Sequence, residues 1–248
     1  VSFAVPSEAY ARFMGRYAEP LAGVFAAFAG VRAGQRVLDV GCGPGALAAH
    51  LGSNGAEVSA IDPSPPFVAA VRQRLPDVDV RTGTAEELPY GDAEFDAAMA
   101  QLVVHFMTDP VRGIRQMARV TRPGGVVAAC VWDGPTGALA PFWDAVHVLD
   151  PDAEDEALLS GAHRGHLTEL FVDVGLRAVV EESIAVDIEH PAFEEWWEPH
   201  TFGVGPAGEY VQRLDADARA RLEGVARDRL GSGPFRVVAT AWAARGTV

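Results

Sequence analysis

Three glycines at alternate positions, Gly41, Gly43 and Gly45, follow directly on the run Val37-Leu38-Asp39-Val40. Having no Cβ, they let the chain turn tightly and let a ligand come close to the main chain. A helix is expected over Ala46–Leu51, and the N–H groups that open it face whatever the turn holds. Asp39 narrows the choice of ligand. A carboxylate two residues ahead of the first glycine repels a pyrophosphate and attracts a group carrying an ammonium or a sulfonium. Asp62 closes the next apolar run, about twenty residues on, where an acidic side chain can accept from both hydroxyls of a ribose. The chemistry these residues suggest is the binding of a nucleoside with a cationic tail.

A second set of residues could act on another molecule. His105, His147, His163, His166, His190 and His200 are the candidate bases, since imidazole titrates near neutral pH. None is set in a motif. His105 follows the fourth predicted strand and His200 lies in an aromatic segment, which makes these two the catalytic candidates. Trp143, Trp196, Trp197 and Phe202, with His200 among them, would give an acceptor pocket apolar walls suited to a small organic molecule. Alternatively, Trp196 and Trp197 serve only to anchor their segment to the sheet. No Cys/His spacing for a metal and no G-x-S-x-G elbow is present, so no metal is expected.

The elements that must position these groups follow from the hydrophobic pattern. Short β-like runs alternate with helical stretches through the first two-thirds, which predicts a parallel sheet with crossover helices. Strands are expected at Arg36–Val40, Glu57–Asp62, Val78–Thr82, Phe95–Ala100 and Gly125–Trp132, and helices at Ser7–Phe28, Ala46–Leu51, Pro66–Leu75 and Val111–Thr121. The turn Arg122-Pro123-Gly124-Gly125 stops the last helix. Beyond Trp132, helices are expected near Pro141–Leu149 and at His166–Val174, and strands at Arg177–Ile188 and Phe235–Arg245. The insertion His190–Gly233 between those two strands has the length of a functional lid or cap. The chain is expected to form one domain over residues 1–248, with a cofactor core at 31–132 and acceptor-side elements from 1–30, 133–162 and 190–233.

Composition sets limits on partners. The net charge is −14 and all 20 basic residues are arginine. Nucleic-acid and anionic-membrane binders need a basic face, so neither partner is expected. Cys42 and Cys130 stand in a turn and a predicted core strand, which implies no disulfide and fits a cytoplasmic compartment. No apolar run reaches the roughly 18 residues of a membrane span, and no signal peptide is visible.

Val37–Gly45 resembles motif I of the class I S-adenosylmethionine (SAM) dependent methyltransferases. The order of three further pieces resembles the UbiE-like, or methyltransferase type 11, group. These are Asp62, the stretch Gly83-Thr84-Ala85-Glu86-Glu87-Leu88-Pro89-Tyr90, and Phe95-Asp96 with Thr121-Arg122-Pro123-Gly124-Gly125. The resemblance covers Val31–Trp132. It implies a Rossmann-like α/β fold, with a mostly parallel seven-stranded sheet flanked by helices, an antiparallel last strand and a helical lid. It also implies SAM as cofactor, S-adenosylhomocysteine (SAH) as product, and O-, N- or C-methylation of a small organic acceptor.

Carried over by position, Gly41 offers its backbone to the methionine amino group, and Cys42, Gly43 and Gly45 shape the turn. Asp62, with Pro63 beside it, holds the ribose. Ala85 meets the adenine ring, Glu86 takes the place of the Asp that many relatives carry at Thr84, and Gln101 lies near the sulfonium. Asp39 belongs to the same set, and Arg16 is expected to pair with the methionine carboxylate. The single asparagine, Asn54, leaves no Asn-Pro-Pro-Tyr motif for methylating bases or amides. Two alternatives stay open: a protein that binds SAM without transferring its methyl, as a cyclase or accessory subunit, and an NAD-dependent oxidoreductase. The latter stands because Gly41–Ala46 also fits the loose G-x-G-x-x-G/A pattern.

Overall fold

β1, Arg36–Val40, is buried on both faces, as expected for a strand at the centre of a parallel sheet. In the computed structural model, which describes residues 5–248, it pairs in parallel with β2 (Glu57–Asp62) on one side and β4 (Phe95–Gln101) on the other. The first four residues of the expected acceptor-side segment 1–30 lie outside the described residues. The seven strands run in the order β3-β2-β1-β4-β5-β7-β6, where β3 is Asp79–Thr82, β5 Thr121–Trp132, β6 Arg177–His190 and β7 Phe235–Thr247. β7 is antiparallel to both its neighbours. This is the expected Rossmann-like sheet with its antiparallel last strand. From β1 the chain winds outward to β2 and β3, and from β4 it winds the other way, so a crevice opens at the carboxyl ends of β1 and β4.

Helices cover both faces. On one, α1 (Ser7–Tyr10), a π-helical turn at Ala11–Gly15 and α2 (Arg16–Ala29) replace the single helix expected at Ser7–Phe28. They bury Phe13, Tyr17, Leu21 and Phe25, spaced four apart along one stripe. α3 (Ala46–Ser53) packs beside α2. On the other face, α5 (Pro110–Val120) and α7 (His166–Asp173) bury Ile114, Met117 and Phe171 against Leu38 and Val40. α4 (Pro65–Arg74) covers β2 and β3 through Val68 and Val71. β5 begins at Thr121 rather than Gly125, because Thr121 pairs with Phe95 ahead of a register shift.

α6 (Ala140–Leu149) lies in the segment after β5. The insertion between β6 and β7 is helical: α8 (Phe193–Trp197), a 3-10 turn at Glu198–Phe202, α9 (Gly205–Arg213) and α10 (Ala216–Leu230). It packs on α6 and on the N-terminal helices, over the same face as α2.

Candidate functional site

β1 delivers the chain into the glycine turn at the sheet's reversal point. Gly41, Gly43 and Gly45 have φ of +69°, +52° and +90°, the left-handed region that costs a side-chain-bearing residue about 1–2 kcal/mol. The Gly41 and Cys42 N–H groups donate to the Ile61 carbonyl at 2.8 and 3.0 Å, which ties the turn to the end of β2. A Cβ on Gly43 would meet only the Tyr10 ring, at 3.9 Å, so a side chain there would stand in open space.

That space is a cleft of about 440 Å³. Gly41, Gly43, Asp62 and Pro63 line one side, and Ala85, Glu86 and Gln101 line the rest with Thr84. Asp62 accepts from the Gly43 N–H and the Ser64 N–H, each at 2.8 Å and each on a different oxygen. Burial raises its pKa, and these two N–H groups pull it back. Each oxygen keeps a second lone pair, so the carboxylate is clamped in place yet able to accept from a diol. Glu86 has one oxygen engaged by the Thr108 and Asp109 N–H groups at 2.8 and 3.3 Å, which leaves the other for a ligand donor.

Beneath the turn lies a smaller space of about 20 Å³, lined by Asp39, Gly41, Cys42, Gly43 and Gln101 among others. Asp39 and Gln101 each carry a buried acceptor beside it. Asp39 Oδ2 and Gln101 Oε1 have no hydrogen-bond partner among the described residues, while Gln101 Nε2 donates to the Ala18 carbonyl at 2.9 Å. Burial pushes the Asp39 carboxyl up to about 7, with Asp62 adding to the rise and the Ala48 main chain opposing it. Leaving two acceptors unsatisfied is expensive unless a donor arrives. A cation with several N–H groups matches both.

The geometry places Arg16 and the insertion residues Trp196, Trp197, His200 and Phe202 away from the large cleft, and keeps Cys42 in the turn as expected. Arg16 does not reach the glycine turn. Its guanidinium is bonded to His190 Nδ1 at 2.8 Å and to Glu195 at 3.0 Å. Ala18, two residues along α2, faces the cavity instead, and two residues turn a helix by about 200°. The Cys42 thiol is buried among Ala60, Val68 and Val71, so this residue shapes the turn rather than presenting its side chain.

Trp196, Trp197, Phe202 and His200 line neither the large cleft nor its neighbour. Phe142 stacks on His200 at 4.8 Å, and Trp196 and Trp197 pack at 4.6 and 6.1 Å from that ring. Arg12 lies over Phe202 at 4.8 Å. These aromatics bolt the insertion to α6 and to the N-terminal helices. His200 Nδ1–H donates to the Trp196 carbonyl at 3.0 Å, its Nε2 has no partner among the described residues, and burial lowers its pKa to about 4. It is a neutral core histidine.

Beside the large cleft lies a second cavity of about 60 Å³ that shares Tyr10, Leu102 and Phe106 with it. Trp143 lines it, as expected, and the insertion reaches it through Val204 and Gly205. His105 lines it too; its Nδ1 is sealed from solvent without a partner among the described residues, and burial lowers its pKa to about 3. Sequence reasoning missed Tyr10, which stands between the two cavities, and Glu156, which takes the Trp143 Nε1–H at 3.2 Å. Tyr10 could have been found from its place on the stripe with Phe13 and Met14, whereas nothing in the acidic loop marks Glu156. Among the described residues no group of His, Cys, Asp or Glu is placed to hold a metal, and no helix is long and apolar enough to cross a membrane.

Comparison with known proteins agrees with this geometry. Residues 38–129 match the methyltransferase domain family. Over 101 residues the chain is 42% identical to an uncharacterized methyltransferase of Mycobacterium tuberculosis, covering 41% of each chain. It is 37% identical over 113 residues to a demethylmenaquinone methyltransferase of Beutenbergia cavernae, covering 46% of each. These matches span less than half the length of the curated relatives. Among solved structures, phosphoethanolamine N-methyltransferase 2 of Haemonchus contortus superposes with a TM-score of 0.62 at 16% identity, over 97% of this chain and 56% of that one. At that identity the likeness is one of fold.

Proposed function

We propose, for a chain whose residues 38–129 match the methyltransferase domain family, that the protein is a class I methyltransferase that transfers a methyl group from SAM to a small organic acceptor. The observation that carries this reading is the pair of donorless buried acceptors, Asp39 Oδ2 and Gln101 Oε1, beside Gly41. They suit the ammonium of the methionine part. Asp62, clamped by Gly43 and Ser64, would accept from the ribose hydroxyls, and Ala85 and Glu86 would flank the adenine.

When bound, SAM supplies a methyl group on a cationic sulfur, with a neutral thioether as leaving group. The chain's own part is placement and exclusion of water. Gln101 ends β4 where the large cleft meets the glycine turn, and Tyr10, Leu102 and Phe106 form the wall shared with the acceptor cavity. Holding two reactants in line across that wall is worth several kcal/mol, of the order of 7–11 in well-oriented cases. His105 lines the acceptor cavity as a neutral imidazole, and the burial that lowers its pKa to about 3 makes it a weak proton acceptor.

Incubation with methyl-labelled SAM and matched amines, phenols and carboxylic acids tests the reading. Label is expected in a small-molecule product, dependent on the protein. Tight SAH binding with no labelled product from any class would favour a SAM-binding protein that does not methylate.

A further inference from the structure

The acceptor cavity is one-sided in charge. Asp133, Asp155 and Glu156 all line it. Among the described lining residues there is no arginine, and the chain has no lysine. The three carboxylates differ in how fully they are engaged. Asp133 is satisfied by Trp242 Nε1 at 2.7 Å and Thr136 Oγ1 at 2.6 Å, one on each oxygen. Asp155 accepts from the Ala157 N–H at 2.9 Å and lies 3.8 Å from His147 Nε2. Glu156 has a single neutral donor, the Trp143 indole, on one oxygen.

Burial and the neighbouring Asp155 push the Glu156 carboxyl up to about 7. An ionised carboxylate there is therefore unfavourable alone, and a cation beside it restores the balance. A second observation points the same way. The His105 Nδ1 is closed off from solvent within the same cavity and lacks a partner among the described residues. The indole of Trp143 adds an aromatic face on which an ammonium or its carbon chain can rest.

From this geometry we infer that the acceptor is a small amine: its ammonium is held by Glu156 against Trp143 with His105 at the same cavity wall, and it gives a proton to the Glu156 carboxylate so that the freed nitrogen lone pair can take the methyl group. This deepens the reading of a SAM-dependent methyltransferase and rests on it. A carboxylate would meet the like charges of Asp133 and Asp155, and neither it nor an alcohol would bring Glu156 a counter-charge.

Calorimetry separates these outcomes. The protein, with and without saturating SAH, is titrated with two series that each keep one body and change the head group: phenethylamine, 2-phenylethanol and phenylacetate, then propylamine, propanol and propionate. The amine is expected to bind about tenfold or more tighter than the alcohol and the acid of its series, the scale of one partly buried charge-assisted contact. Glu156→Gln is expected to remove that preference and leave SAH affinity unchanged, and Glu156→Asp to keep it. Equal or tighter binding of the acid or alcohol by the wild-type protein overturns the inference, as does no detectable binding of either amine. Should Glu156→Gln fail to fold, the wild-type series decides alone. SAH binding without an amine preference removes this inference only, whereas failure to bind SAH removes the reading beneath it.

Discussion

The turn at Gly41–Gly45 and the cap over the acceptor cavity are built on opposite principles. The turn presents main chain, in one contiguous stretch held by left-handed glycines and hydrogen bonds to Ile61 and Asp62. The cap presents side chains gathered from the N-terminal helices, the segment after β5, and the insertion. Backbone sites at strand ends are dictated locally. Side-chain sites drawn from distant segments depend on how large apolar surfaces settle. The two halves should therefore fail in different ways when altered: the first by losing a ligand, the second by losing its packing.

The sharpest break is at Gly43. Gly43→Val is expected to lower SAH affinity about a hundredfold or more, since a β-branched residue is strained at positive φ and its methyls would fill the cleft. Thermal unfolding of the same variant checks that the cap is intact; unchanged affinity would remove the turn from the site. On the other half, Trp196→Ala is expected to lower stability by about 3–5 kcal/mol while SAH affinity stays within about threefold, because Trp196 is buried in the aromatic stack and touches neither cavity. Denaturant unfolding with calorimetry on the same samples measures both. A large loss of affinity with little loss of stability would move Trp196 into the site.

A smaller effect separates the halves by pH. Asp39 must be ionised to hold an ammonium, and its carboxyl is raised to about 7. SAH affinity should then be level above that pH and fall by up to about tenfold per pH unit below it, as the carboxyl gains a proton that the bound state must lose. Asp39→Asn should flatten the profile. A flat wild-type profile from pH 8 to pH 6 would separate Asp39 from the ligand.

The same contrast explains what the sequence made legible. β1, the glycine turn and Asp62 were readable because an apolar run, three Cβ-free residues and an acidic strand end each act at fixed local spacing. The parallel sheet with crossover helices followed from the alternation of strands and helices, which leaves the strand order open. Arg16 misled because its role depends on which face of α2 meets the sheet, and Gln101, bonded to the Ala18 carbonyl, shows that face to be the one two residues away. Trp196 and Trp197 misled for a different reason. The largest aromatic side chains in a surface insertion sink first into its own anchor, so the cavity is lined by the smaller Val204 and Gly205. Glu156 had no signal at all, since an acid in an acidic loop acquires meaning only from the Trp143 indole that the fold brings to it.

One measurement bears on the account most directly: calorimetric titration of the wild-type protein and Asp62→Ala with SAH and, separately, with NAD. The account predicts a single SAH site on the wild-type protein and no comparable NAD binding. It further predicts a loss of about tenfold to a hundredfold with Asp62→Ala, the scale of one or two hydrogen bonds to a charged acceptor. NAD binding in preference to SAH, or wild-type SAH affinity in Asp62→Ala, would contradict it.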